Sequence, residues 1–256
     1  MTWHRSSHTL LRTRRRISMV RSSCWTAAPR RAGRGLGAEM LNVGGKQIPE
    51  TLAELVDPSW TCLLIHDVQN DYCAPGGKLF SKLDESLAAS TRQAVGRIGV
   101  LAQAARAAGV RVIYTRASHL PDASDESPVH LRHLLANGQR GAEPNVVLGS
   151  WGHAVVDELA PQPGDAEVDK YAFSAFQGTP LDKLLRSFSA RTLVLTGVAS
   201  HSGILTTARF ALTLDYFTVI PRECVAGMNP AQHEAATTLL APDLVALDDI
   251  LAVWGG

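Results

Sequence analysis

The chain has 256 residues, 45% of them hydrophobic and 19% charged, which is enough for a substantial buried core. No apolar run approaches the roughly 18 residues a membrane span needs, and the four cysteines (Cys24, Cys62, Cys73, Cys224) form no CxxC pair, which argues against a zinc ribbon or a dense disulfide scaffold and suits a reducing cytoplasm. The formal charge of +1 hides an asymmetry: residues 1–39 hold nine Arg against one Glu, so the rest is net acidic, which argues against a nucleic-acid-binding body.

Residues 1–39 are rich in Arg and Ser and carry no apolar periodicity that could bury a face. They resemble an organelle transit peptide in composition; a disordered tail, or a true start at Met19 or Met40, accounts for them as well. A domain boundary is expected at residue 39, with the leader taking no part in function. From residue 60, short apolar runs read as buried parallel strands: Thr61–His66, Val110–Tyr114, Thr192–Thr196, Phe217–Ile220 and a last one at Asp243–Leu247. Helical stretches lie between them: 84–108, closing on Gly109, then 179–188, with Leu181, Leu184, Leu185 and Phe188 on one face, then 203–214 and 230–240. Alternating strands and helices predict a three-layer, doubly wound α/β fold, a mostly parallel sheet with helices on both faces. Residues 117–150 break the rhythm as a long polar connection, the kind that forms lids and site walls.

Ligands in such sheets bind beyond the carboxyl ends of the strands. That rule selects Asp67–Asp71, Thr115–Arg116 and Gly197–Gly203. These segments carry a resemblance. LLIHDVQNDYCAPGG (63–77), GSWGHAVVDELAPQPGD (149–165), KYAFSAFQGTPLDKLLRS (170–187) and LVLTGVASHSGILTTARFAL (193–212) are similar, in order and spacing, to the isochorismatase-like hydrolase superfamily. The resemblance implies that residues 40–256 form one hydrolase domain, acting on a small metabolite without a cofactor, in a homo-oligomer (dimer or tetramer), with no nucleic acid or membrane partner.

Amidases of that superfamily use an Asp, a Lys and a Cys nucleophile. The Asp falls on Asp67 and the Lys on Lys170, but the Cys position falls on Gly203. Glycine is no nucleophile. The isochorismatases of the superfamily commonly have Gly there, with a His two positions earlier as His201 stands here, and they hydrolyse a vinyl ether with water. Isochorismatase-specific positions nevertheless hold Ala117, Ala172 and Ala199, whereas GSWG, APGG and PQPGD resemble the amidohydrolase branch. The resemblance therefore implies an acid and an ammonium group, Asp67 and Lys170, facing water where a thiol is missing. Asp67, ending an apolar strand, is partly desolvated and so suited to proton transfer. The resemblance further implies that Ala199 and Gly203 supply backbone N–H donors to an oxyanion, beside a cis peptide at Val198-Ala199. Gln69, Tyr72, Arg116, Trp151, Tyr171, Phe173, Ser200 and His201 are the candidate substrate contacts, although packing or loop hydrogen bonds account for several of them equally. Ser200 or Ser202 as a replacement nucleophile beside His201 is a weaker alternative, since each needs a base within reach. Metal is not expected, because His119 and His130 do not fit the family's zinc pattern. A catalytically silent relative that binds a metabolite, or serves as an assembly partner, is the alternative from another class.

Overall fold

A computed structural model describes residues 40–136 and 144–255; the basic leader and the middle of the 117–150 connection lie outside the described residues. The described chain opens with a small antiparallel hairpin, β1 (Leu41–Val43) and β2 (Lys46–Ile48), followed by the single turn α1 (Leu52–Leu55), whose Thr51 and Glu54 form a reciprocal capping box. Then come β3 (Thr61–His66), the short α2 (Asn70–Cys73), α3 (Glu85–Ala107), β4 (Arg111–Ala117), α4 (Pro128–Ala136), β5 (Ala166–Lys170), α5 (Leu181–Ser187) and β6 (Thr192–Val198). A π-turn at Ser200–Ile204 leads into α6 (Leu205–Thr213), and β7 (Phe217–Pro221), β8 (Val225–Ala226), α7 (Pro230–Leu239), β9 (Leu244–Val245) and α8 (Leu247–Trp254) complete the chain.

The seven-stranded sheet runs β5-β4-β3-β6-β7-β9, with β8 pairing the far end of β6, and all of these pairings are parallel. This is the α/β class the sequence predicts. The central strands are apolar throughout because both faces are covered. Side chains alternate across the sheet. Leu63, Ile65, Val112, Tyr114 and Val194 pack under α3 and α8, where Ile98, Leu101, Ile250 and Trp254 meet them. Cys62, Leu64, Ile113, Val168, Leu193 and Leu195 pack under α5 and α6, against Leu181, Leu185, Ala208 and Ala211.

Two expectations need correcting. The strand expected over Asp243–Leu247 is only Leu244–Val245, because Leu247 already starts α8. Leu247, Ile250, Leu251 and Trp254 recur at helical spacing, and burying that stripe against α3 outweighs extending an edge strand. The polar connection from residue 117 is also not structureless, since α4 lies within it.

Candidate active site

Strand alternation decides what the sheet presents at its carboxyl edge. His66 shares a face with Cys62 and Leu64, Thr115 with Ile113, and Lys170 with Val168. All three therefore project on the α5–α6 side. Asp67 follows directly, turning at φ 54 with its N–H bonded to Thr115 O at 2.8 Å. Lys170 Nζ lies 2.8 Å from Asp67 Oδ2, and both residues are buried. Nζ also donates to Ala172 O at 3.1 Å, while Asp67 Oδ1 has no hydrogen-bond partner. The structure thus brings the acid and the ammonium group together.

The His66 imidazole stands beside them, against Gly203. Gly203, at the π-turn before α6, sits so close that a Cβ there would lie 2.1 Å from His66 Nε2. His66 is wholly buried; its Nδ1 is 2.8 Å from Thr115 Oγ1, and its Nε2 is 3.3 Å from Asp67 Oδ2 without making a hydrogen bond. The sequence reading missed this residue, because it ends an apolar strand and its meaning depends on a glycine 137 positions further on.

Burial holds the His66 imidazole down at about 4; Asp67 opposes that shift and Lys170 adds to it. An unfolded imidazole takes its proton near 6.5. Its contribution to stability is therefore complete above pH 6.5 and is lost as pH falls towards 4, by about 3 kcal/mol. Urea denaturation across pH 7 to 4 is expected to show that decline, and a His66→Gln chain to lack this part of it. An unchanged pH slope in the variant would contradict the assignment.

The other candidates divide. Gln69 is a loop clamp rather than a substrate contact: its Nε2 donates to Ala117 O and His153 O, both at 2.9 Å, and its Oε1 accepts from Ala117 N at 2.8 Å. Arg116 is likewise corrected. It shares a face with Tyr114, opposite Lys170, and is bound to Glu167 at 2.6 Å and Asp169 at 2.8 Å. Ser200 directs its hydroxyl to His233 Nδ1 at 2.8 Å. His201 is half-buried, with Nδ1 unpartnered and its imidazole lowered by burial and by His233. Trp151 is 57% exposed and lies over Gly76 in the APGG turn. Burial, and then the Asp67 carboxylate, raise the Tyr72 phenol well above the ordinary range. Tyr171 and Phe173 follow Lys170 directly, both exposed, and Phe173 packs edge-on against His130 and His133 of α4. The Val198-Ala199 peptide is cis.

Among the described residues three cysteines are present, all free and buried. Burial pushes the Cys62 and Cys224 thiols up to about 12 and raises Cys73 further, Asp67 adding to the last. Such thiols stay protonated and are poor nucleophiles. His119, Asp125 and Glu126 hold ligand-type atoms within 4.8 Å of one another, the one such group among the described residues. These atoms are occupied with each other: His119 Nδ1 lies 3.1 Å from Asp125 and 3.0 Å from Glu126, which also pairs with His130.

The parallel sheet is covered on both faces and carries a buried acid–ammonium pair at its carboxyl edge, and a family comparison gives that arrangement its class. The chain belongs to the isochorismatase family of hydrolases, whose Isochorismatase domain model matches residues 61–248. It is 35% identical over 198 residues to the ureidoacrylate amidohydrolase RutB of Methylobacterium radiotolerans, covering 73% of this chain and 75% of that protein. Among solved structures, a cysteine hydrolase from Pseudomonas syringae superposes with TM-score 0.67 at 27% identity, covering 78% of this chain and 95% of that one. An isochorismatase family protein from Desulfovibrio vulgaris gives 0.62 at 30% identity, with 75% and 98% covered.

Proposed function

We propose that this protein hydrolyses a C–N bond in a small ureide or amide with water as the nucleophile, and without a thiol. The carrying observation is the 2.8 Å contact between buried Asp67 and Lys170, which leaves Oδ1 of the carboxylate unpartnered. Gly203 at the family's cysteine position supports the thiol-free part. The likeness to ureidoacrylate amidohydrolases supports the C–N bond.

Lys170 holds Oδ2, which leaves Oδ1 to accept a proton from water as the water oxygen bonds to the carbonyl carbon. The oxygen of the resulting tetrahedral species gathers charge and is met by the Ala199 and Gly203 N–H groups. Oδ1 then returns its proton to the nitrogen, the C–N bond breaks, and amine and acid products leave. Tyr72, Tyr171, Phe173 and His201 are the proposed substrate contacts. Gly203 also favours a second reading, hydrolysis of a vinyl ether, in which Asp67 gives its proton to carbon.

The test is a panel of ureidoacrylate, simple ureides, primary amides and an enolpyruvyl ether, run with wild type and Asp67→Asn. Ureide hydrolysis, lowered at least about 1,000-fold in the variant, is the expected result. Equal inertness of both chains across the panel would overturn the reading in favour of a silent metabolite-binding relative.

A further inference from the structure

His66 and Gly203 are coupled by space. A Cβ at position 203 would come 2.1 Å from His66 Nε2 and 2.7 Å from Cδ2, well inside contact distance. No side chain can stand at 203 while the imidazole stays where it is. The imidazole is held there by Thr115 Oγ1 at 2.8 Å, and its Nε2 ends beside Gly203 and Asp67 with no hydrogen-bond partner. Asp67 Oδ1, also buried, has none either. Two unpartnered polar atoms at one buried spot are costly unless a ligand group meets them.

The tautomer follows from the surroundings. A carboxylate oxygen 3.3 Å from Nε2 favours a proton on that nitrogen, and the Thr115 hydroxyl then donates to Nδ1. Nε2 is therefore a donor beside the Gly203 backbone.

We infer that His66 is a further catalytic residue of the proposed hydrolysis: its neutral Nε2–H donates to the carbonyl oxygen as that oxygen gains charge, from the place where a side chain at 203 would otherwise stand. No proton leaves His66 in this step. The hydrogen bond shortens as water adds to the carbonyl carbon and relaxes when the C–N bond breaks. Burial, which keeps the imidazole uncharged, suits a donor that must not compete with Asp67 for the proton. The inference rests on the hydrolase reading and deepens it.

The experiment compares wild type, His66→Val, His66→Gln, Gly203→Cys and His66→Val/Gly203→Cys. With whichever ureide the wild type turns over, His66→Val is expected to lose about 100- to 1,000-fold in kcat with KM held within about 3-fold. His66→Gln, whose amide keeps a donor near the same point, is expected to recover part of that loss. Without any turnover measurement, Gly203→Cys alone is expected to lower Tm by more than about 5 °C, and His66→Val in the same chain to restore it and to leave a thiol that iodoacetamide modifies. An active wild type with kcat unchanged in His66→Val overturns the role of His66 and leaves the hydrolase reading intact. A wild type inert on the whole panel overturns both. A Gly203→Cys chain of native stability refutes the exclusion between the two side chains.

Discussion

Lys170→Met is expected to abolish hydrolysis and to lower stability by about 3–5 kcal/mol, because it leaves the Asp67 carboxylate buried without its counter-ion. The ammonium group is 2.8 Å from Oδ2, and each residue is less than a tenth exposed, so bulk solvent compensates little for its loss. Asp67→Asn strands the ammonium group in the same way. The double variant Asp67→Asn/Lys170→Met, with no buried charge left at the pair, is expected to recover most of the lost stability while staying inactive. Urea denaturation of the four chains gives the coupling directly. Single losses that simply add would mean the pair is not a structural unit, and retained turnover in the Lys170→Met chain would remove the ammonium group from the proposed mechanism.

The second large effect is expected at Gly197→Ala, with a loss of about 3 kcal/mol or more. Gly197 pairs with His66 across β6 and β3 at φ +118, and a Cβ there would meet the His66 carbonyl oxygen at 2.0 Å. Neither strand can retreat, since β3 is also paired to β4 and β6 to β8. Gly96→Ala is the control. It lies in α3 with nothing within 4 Å of the added carbon, and is expected to gain about 0.5–1 kcal/mol from helix propensity. Thermal and urea denaturation should move the two variants in opposite directions; a neutral Gly197→Ala would contradict the close approach.

The sheet was legible where burial is two-sided. TCLLIH and TLVLTGV are apolar almost throughout because helices cover both faces, so their sequences reveal strands directly. β5 escaped notice because AEVDK is half-polar: Glu167 and Asp169 face Arg116 on one side, and only Val168 and Lys170 are buried on the other. Family motifs pointed to Asp67, Lys170 and Gly203, and the structure puts the first two in contact. His66 was not legible, since nothing local marks a histidine ending an apolar strand as facing Gly203. Arg116 was misjudged for the same reason: an arginine looks free until the next strand supplies two carboxylates.

Two neighbours of Asp67 fasten the connection between β4 and β5 at its start and again past its middle. Gln69 holds Ala117, where β4 finishes, and Asp71 accepts the Val146 N–H at 2.7 Å. The Asp71 carboxylate also lies against Gly152, where an added Cβ would meet it at 2.3 Å. The two side chains that flank the end of β3 thus tie that connection to the same strand end that carries Asp67.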